Sequence, residues 1–214
     1  MNLLEPPDLR NLPPALQKPR FLRWKDFVRQ IIVAIAMDQI IDPSLQVRVN
    51  AIVLRLLEVF LADAEMIERY NNAFEGGWKS SEWQQMPTAS DLLKFCSKEK
   101  MNLESYGEMD AAAINQIYSQ LEAKLLDPNV GNLLGKPSSV NPKPKMTFYA
   151  LSGLTNENNS YIIALCAQMA CLRTALEHPK SLFVGDELSV LLAKRGFAEI
   201  IGEQFATGRK EGIS

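Results

Sequence analysis

The 214-residue sequence predicts an α/β chain: a mostly α-helical part over residues 1–145, then a partial parallel sheet of βαβα order over residues 146–214. Three observations predict it. Apolar residues recur at helical spacing through the first part, and a stretch rich in proline, glycine and serine, Asn129 to Lys145, follows. Beyond it the pattern changes to two short apolar runs on either side of a longer helical one.

Residues 1–20 carry Pro6, Pro7, Pro13, Pro14 and Pro19, which remove backbone donors, so an extended leading segment that leans on the rest is expected. Phe27, Val28, Ile31, Ile32, Ile35 and Met37 then mark a helix from Phe21 or Trp24 to Ile41, stopped by Asp42-Pro43. A second helix opens at Pro43-Ser44, with a stripe of Val49, Ile52, Val53, Leu56, Leu57, Phe60 and Leu61. The short joint predicts antiparallel packing of this pair. Pro87 to Asp91 reads as the start of a short helix, Ser97 to Tyr106 as a loop, and Met109 to Leu125 as an amphipathic helix closed by Asp127-Pro128. Met146 to Leu151 and Leu182 to Gly185 read as strands, with the apolar helix Tyr161 to Leu176 as their crossover. A further helical stretch runs from Leu188 to Phe205, interrupted near Gly196.

Composition narrows the function. With 47% hydrophobic and 22% charged residues the chain can bury a core, and a net charge of −2 provides no global basic field for nucleic acid. Cys96, Cys166 and Cys171 form no C-x-x-C pair and are odd in number, which predicts reduced thiols used in packing and a cytoplasmic location. No apolar run approaches the ~18 residues that span a bilayer, and the N-terminus lacks the basic-then-apolar pattern of a cleaved signal. The single histidine, His178, is too little for a histidine-rich metal site and stands where a helix end is expected. Lys18, Arg20, Arg23 and Lys25, interleaved with Phe21 and Trp24, form a basic cluster suited to a solvated helix start or to a nucleic-acid or subunit contact.

The chemistry concentrates at Leu182-Phe183-Val184-Gly185-Asp186-Glu187. An apolar run ending in two carboxylates has the form of a Walker B segment, which places acid at the carboxyl end of a strand. Asp186 would hold Mg²⁺, directly or through water, and Glu187 would orient or deprotonate an attacking water. The same two residues would also suit the first turn of a following helix, where acid meets the positive end of the dipole. The phosphate cradle G-x-x-x-x-G-K-[ST] is missing. Gly135-Lys136 fails as a substitute, because Gly131 is one residue too close, Pro137 replaces the hydroxyl and the preceding segment is a helix end. Half a nucleotide site and two unaccompanied parallel strands lead to the expectation of a fragment whose missing strands lie upstream of Met1.

Met146 to Leu154 (MTFYALSGL), Leu182 to Glu187 (LFVGDE) and Thr207 to Gly212 (TGRKEG) together resemble the C-terminal ATPase domain of TraC-like conjugative-transfer and type IV secretion ATPases of the HerA–FtsK superfamily. The resemblance implies a RecA-like P-loop core over 146–214, with residues 1–145 corresponding to the family's all-α insertion. It further implies ATP and Mg²⁺ as ligands, Asp186 and Glu187 as the Walker B pair, and Arg209-Lys210 near a subunit interface, Arg209 acting as an arginine finger. The intact protein would be a homo-hexameric motor meeting secretion components at the inner membrane, with DNA as an indirect substrate. The isolated chain, lacking Walker A, would be inactive. From a different class comes the alternative of a non-catalytic interaction module that binds a partner ATPase.

Overall fold

The structure, a computed structural model, describes residues 1–38, 42–104, 106–139, 146–147, 159–178, 180–182, 184, 198, 200–203 and 206. Helices account for 68% of these residues and no strand occurs among them, so the α/β expectation gives way to a largely all-α fold. Leu182 and Val184, expected inside a buried parallel strand, are 77% and 76% exposed, and Ser181 contributes only an isolated bridge. Of the other expected strand, Phe148 to Leu151 lie outside the described residues. The reason for the difference is physical: a parallel strand needs cover on both faces and neighbours on both edges, and two such strands alone supply neither. A four-residue apolar run does not by itself specify a strand.

The chain divides into two compact units, Met1–Glu5 with Arg29–Ser139, and Pro6–Val28 with Val140–Ser214. In the first, helices α2 (Pro43–Ala62), α3 (Ala64–Gly76), α4 (Ala89–Leu93), α5 (Lys98–Met101), α6 (Glu108–Leu126) and α7 (Gly131–Leu134) are joined by a 3₁₀ turn at Trp83–Gln85 and short loops. Each start has a local cause. Asp42 Oδ1 accepts the Ser44 and Leu45 amides with Pro43 opening α2, and Asp63, which ends α2, accepts the amides of Glu65 and Met66 to open α3. Asp63 thereby separates α2 from α3. Gly77, at φ 79°, ends α3 in a conformation that side chains rarely adopt.

The principal partner of α2 among the described helices is α6, rather than the helix that precedes it. Val49, Ile52, Val53, Leu56, Leu57 and Phe60 of α2 are buried, as are Ala113, Ile114, Ile117 and Leu121 of α6. At ~1.5 to 3 kcal/mol for each large aliphatic side chain, this pair supplies much of the unit's stability. Arg48 pairs with Asp110 across the two helices, while the other Asp110 oxygen accepts the Gly107 amide at the start of α6. Phe60 meets Phe95 edge to face, with ring centroids 5.3 Å apart.

Helix α1 (Pro14–Ala36) begins earlier than its prolines suggest and carries Pro19 inside. Pro14 fits a first turn, where its missing donor costs nothing. Pro19 forfeits the bond to the Ala15 carbonyl, and burial of Trp24, Phe27 and Val28 offsets that loss. In the second unit α8 (Ser160–Leu176) is buried on nearly every side, with Ile162, Leu165, Cys166, Met169 and Leu172 all at most 2% exposed. That is the environment of a central helix that is apolar all round, and the expected role as a strand crossover is withdrawn with the sheet.

Candidate functional site

The residues to which the sequence assigns nucleotide chemistry, Asp186, Glu187, Arg209 and Lys210, lie outside the described residues. Their described neighbours Leu182 and Val184 sit in no strand. Among the described residues no three His, Cys, Asp or Glu side chains are grouped to hold a metal ion, and no helix is long and apolar enough to cross a membrane.

Of the remaining sequence candidates, Arg20, His178, Gly131 and the three cysteines take part in packing. Arg20, from the basic cluster, is 2% exposed and donates to the carbonyl oxygens of Leu176 and His178, which satisfies the C-terminal end of α8. His178 therefore participates through its backbone. Ser181 Oγ donates to the Ala175 carbonyl at 3.1 Å, and Glu177 accepts the Asp8 amide at 3.0 Å, so the proline-rich leading segment is tied to the same helix end. Gly131 is explained by closeness: a Cβ there would overlap the Leu125 carbonyl. Burial pushes the thiols of Cys96 and Cys166 up to about 12 and that of Cys171 up to about 11, which keeps them protonated and poorly nucleophilic.

One polar cluster was not foreseen from the sequence. Asp91, in the first turn of α4, accepts from the Thr88 amide at 3.0 Å, from Arg69 Nη2 at 2.9 Å and from Lys94 Nζ at 2.9 Å. Burial alone would raise its pKa, but the bonds from Arg69, Lys94 and Thr88 outweigh that and hold the carboxyl at about 2. Next to Arg69 on α3, Tyr70 is buried, and its phenol titrates well above its usual range, first through burial and then through the negative charge of Asp91, with Glu5 adding to it. A phenol held protonated is a hydrogen-bond donor. Tyr70 Oη donates at 2.8 Å to the Leu4 carbonyl, and Pro87, just before α4, accepts from Asn2 Nδ2 at 2.8 Å. The cluster thus lies beside the place where Tyr70 and Pro87 hold the chain's own Leu4 and Asn2. The T-x-x-D spacing of Thr88 and Asp91 is its one sequence signal; the partners Leu4 and Asn2 lie 66 and 85 residues away from Tyr70 and Pro87.

Compared with protein-family models, curated proteins and solved structures, the chain matches none.

Proposed function

We propose that the chain is part of a conjugative-transfer or type IV secretion motor and contributes Asp186, Glu187, Arg209 and Lys210 to ATP hydrolysis in a ring of identical subunits. The observation that carries this reading is the order and spacing of three stretches in the sequence, MTFYALSGL at 146–154, LFVGDE at 182–187 and TGRKEG at 207–212. The helical make-up of residues 29–139 is in keeping with the all-α insertion of such motors. Asp186 would bind the Mg²⁺ of ATP directly or through water, Glu187 would orient the attacking water, and Arg209 would stabilise phosphoryl charge on a neighbouring subunit's nucleotide. Lys210 stands beside it at the same interface. In the cell the ring would work on the cytoplasmic side of the inner membrane, with other secretion components, moving DNA or protein.

The test is ATP turnover in the assembled motor. Asp186→Ala and Glu187→Gln each abolish turnover while the far-ultraviolet circular dichroism stays unchanged; undiminished turnover in both variants overturns the reading.

A second reading, a non-catalytic module that binds a partner ATPase through its helical unit, is favoured by the exposure of Leu182 and Val184, which a strand delivering Asp186 would bury. It predicts partner binding that survives Asp186→Ala and Arg209→Ala. Loss of binding in both variants counts against it.

A further inference from the structure

The basic cluster at the start of α1 is only partly used by the fold. Of its four cations, Arg20 is buried against the end of α8, whereas Lys18 is exposed and Arg23 and Lys25 are half-buried. None of these three forms an ion pair among the described residues. Helical spacing sorts the same stretch into two faces. Arg20, Trp24, Phe27 and Val28 lie on the inner face and are buried. Ala15, Pro19 and Leu22, at i, i+4 and i+7, form the outward line, with Leu16 beside it. All four are exposed, Leu16 at 37% and Leu22 at 46%. Lys18 and Lys25 run along one flank of this line, and Arg23 joins Leu16 on the other. Asp26, one turn beyond Leu22, closes it; that carboxylate is half-buried and already engaged within the chain. The result is an exposed aliphatic stripe rimmed by three cations, on a protein whose net charge is −2.

The chemistry of the stripe selects its occupant. Ala15, Leu16, Pro19 and Leu22 carry no side-chain donor or acceptor with which to read a base edge or a peptide backbone. A ridge of aliphatic groups gains by leaving water for hydrocarbon, and the cations beside it meet phosphate at the depth of lipid headgroups. Long basic side chains reach past an apolar line, so stripe and cations engage one anionic surface together. No described helix is long and apolar enough to cross a membrane, so α1 would rest on such a surface rather than span it.

We propose that the outward face of α1 from Ala15 to Lys25 is a docking surface for an anionic phospholipid membrane, with Leu16, Pro19 and Leu22 entering the headgroup boundary and Lys18, Arg23 and Lys25 contacting lipid phosphates. The proposal stands on α1 and uses none of Asp186, Glu187, Arg209 or Lys210, so it holds or fails separately from the ATPase reading.

The test is co-sedimentation of the full chain with vesicles of phosphatidylcholine and phosphatidylglycerol, against vesicles of phosphatidylcholine alone. The expected result is partitioning onto the anionic vesicles only, weakened by added salt because exposed charges are screened. Lys18→Glu/Lys25→Glu lowers it by about tenfold or more, since each cation near an anionic surface changes partitioning about fivefold. Leu22→Ser lowers it at unchanged charge, and both variants keep the wild-type urea midpoint because they replace side chains outside the core. Absence of partitioning, equal partitioning onto both kinds of vesicle, or partitioning that either variant leaves unchanged overturns the proposal. Tighter binding of a short single-stranded oligonucleotide than of the anionic vesicles, lost in Lys18→Glu/Lys25→Glu and kept in Leu22→Ser, assigns the cations to nucleic acid and overturns it as well.

Discussion

Arg20 Nη1 donates to the Leu176 carbonyl oxygen at 2.6 Å, so a side chain of α1 supplies the donor that the last turn of α8 lacks. The same nitrogen serves the His178 carbonyl, and the guanidinium is almost wholly buried. Removing it leaves carbonyls without that donor at the end of a buried helix. Arg20→Ala is expected to lower stability by about 2 kcal/mol, the scale of buried hydrogen bonds to a charged group, read as a fall in the urea midpoint. Arg20→Lys keeps the charge and loses the planar fork, and should fall between the two. An alanine variant as stable as the wild type would mean that α8 finds other donors.

Acid should act on the helical unit through Asp91. Its carboxyl titrates at about 2 against an ordinary 3.8, because the bonds from Arg69, Lys94 and the Thr88 amide outweigh burial, which by itself would raise it. A value depressed in the folded state means a stabilising contribution that is complete above the unfolded value and disappears as pH falls from 3.8 toward 2. Urea midpoints measured across that window should drop more steeply for the wild type than for Asp91→Asn. Parallel profiles would show that the carboxylate contributes nothing specific.

The helices were legible where strong spacing coincides with a stop. Asp42-Pro43 opens α2 and Asp127-Pro128 closes α6, each aspartate offering a side-chain oxygen to the amides that follow it, whereas α1 ends at Ala36 and not at the expected Ile41. Other boundaries depended on tertiary contacts. α1 extends through Pro19, and α5 forms inside an expected loop because Ser97 caps it and Met101 is fully buried. A sheet is not specified by short apolar runs such as Leu182 to Gly185, which carry no information on whether neighbours cover them. The contact of Tyr70 with Leu4 was illegible for a different reason. Spacing arguments relate residues a few positions apart, and Tyr70 recognises Leu4 across 66.

Gly131 separates a packing glycine from a phosphate-binding one. Its nitrogen donates to the Asp127 carbonyl at 2.7 Å, and its Cα lies so near the Leu125 carbonyl that any side chain would strike backbone rather than a movable group. Gly135 is less confined, with an added Cβ meeting the Gly131 carbonyl at 3.0 Å and two side-chain atoms slightly farther off. Gly131→Ala must therefore displace the corner between α6 and α7, at a cost of ~1 to 3 kcal/mol, the range for overpacking a tight interior. Gly135→Ala should cost less, since the backbone oxygen it would meet is 3.0 Å away, farther than the one that confronts a side chain at Gly131, and its other neighbours, the Leu125 and Ser90 side chains, can rotate away. Lys136→Ala, next to them in the Gly-Lys pair, should leave the urea midpoint where it is. Equal midpoints for Gly131→Ala and the wild type would show that the corner relaxes at no cost, and the close approach to Leu125 would then not explain why glycine stands there.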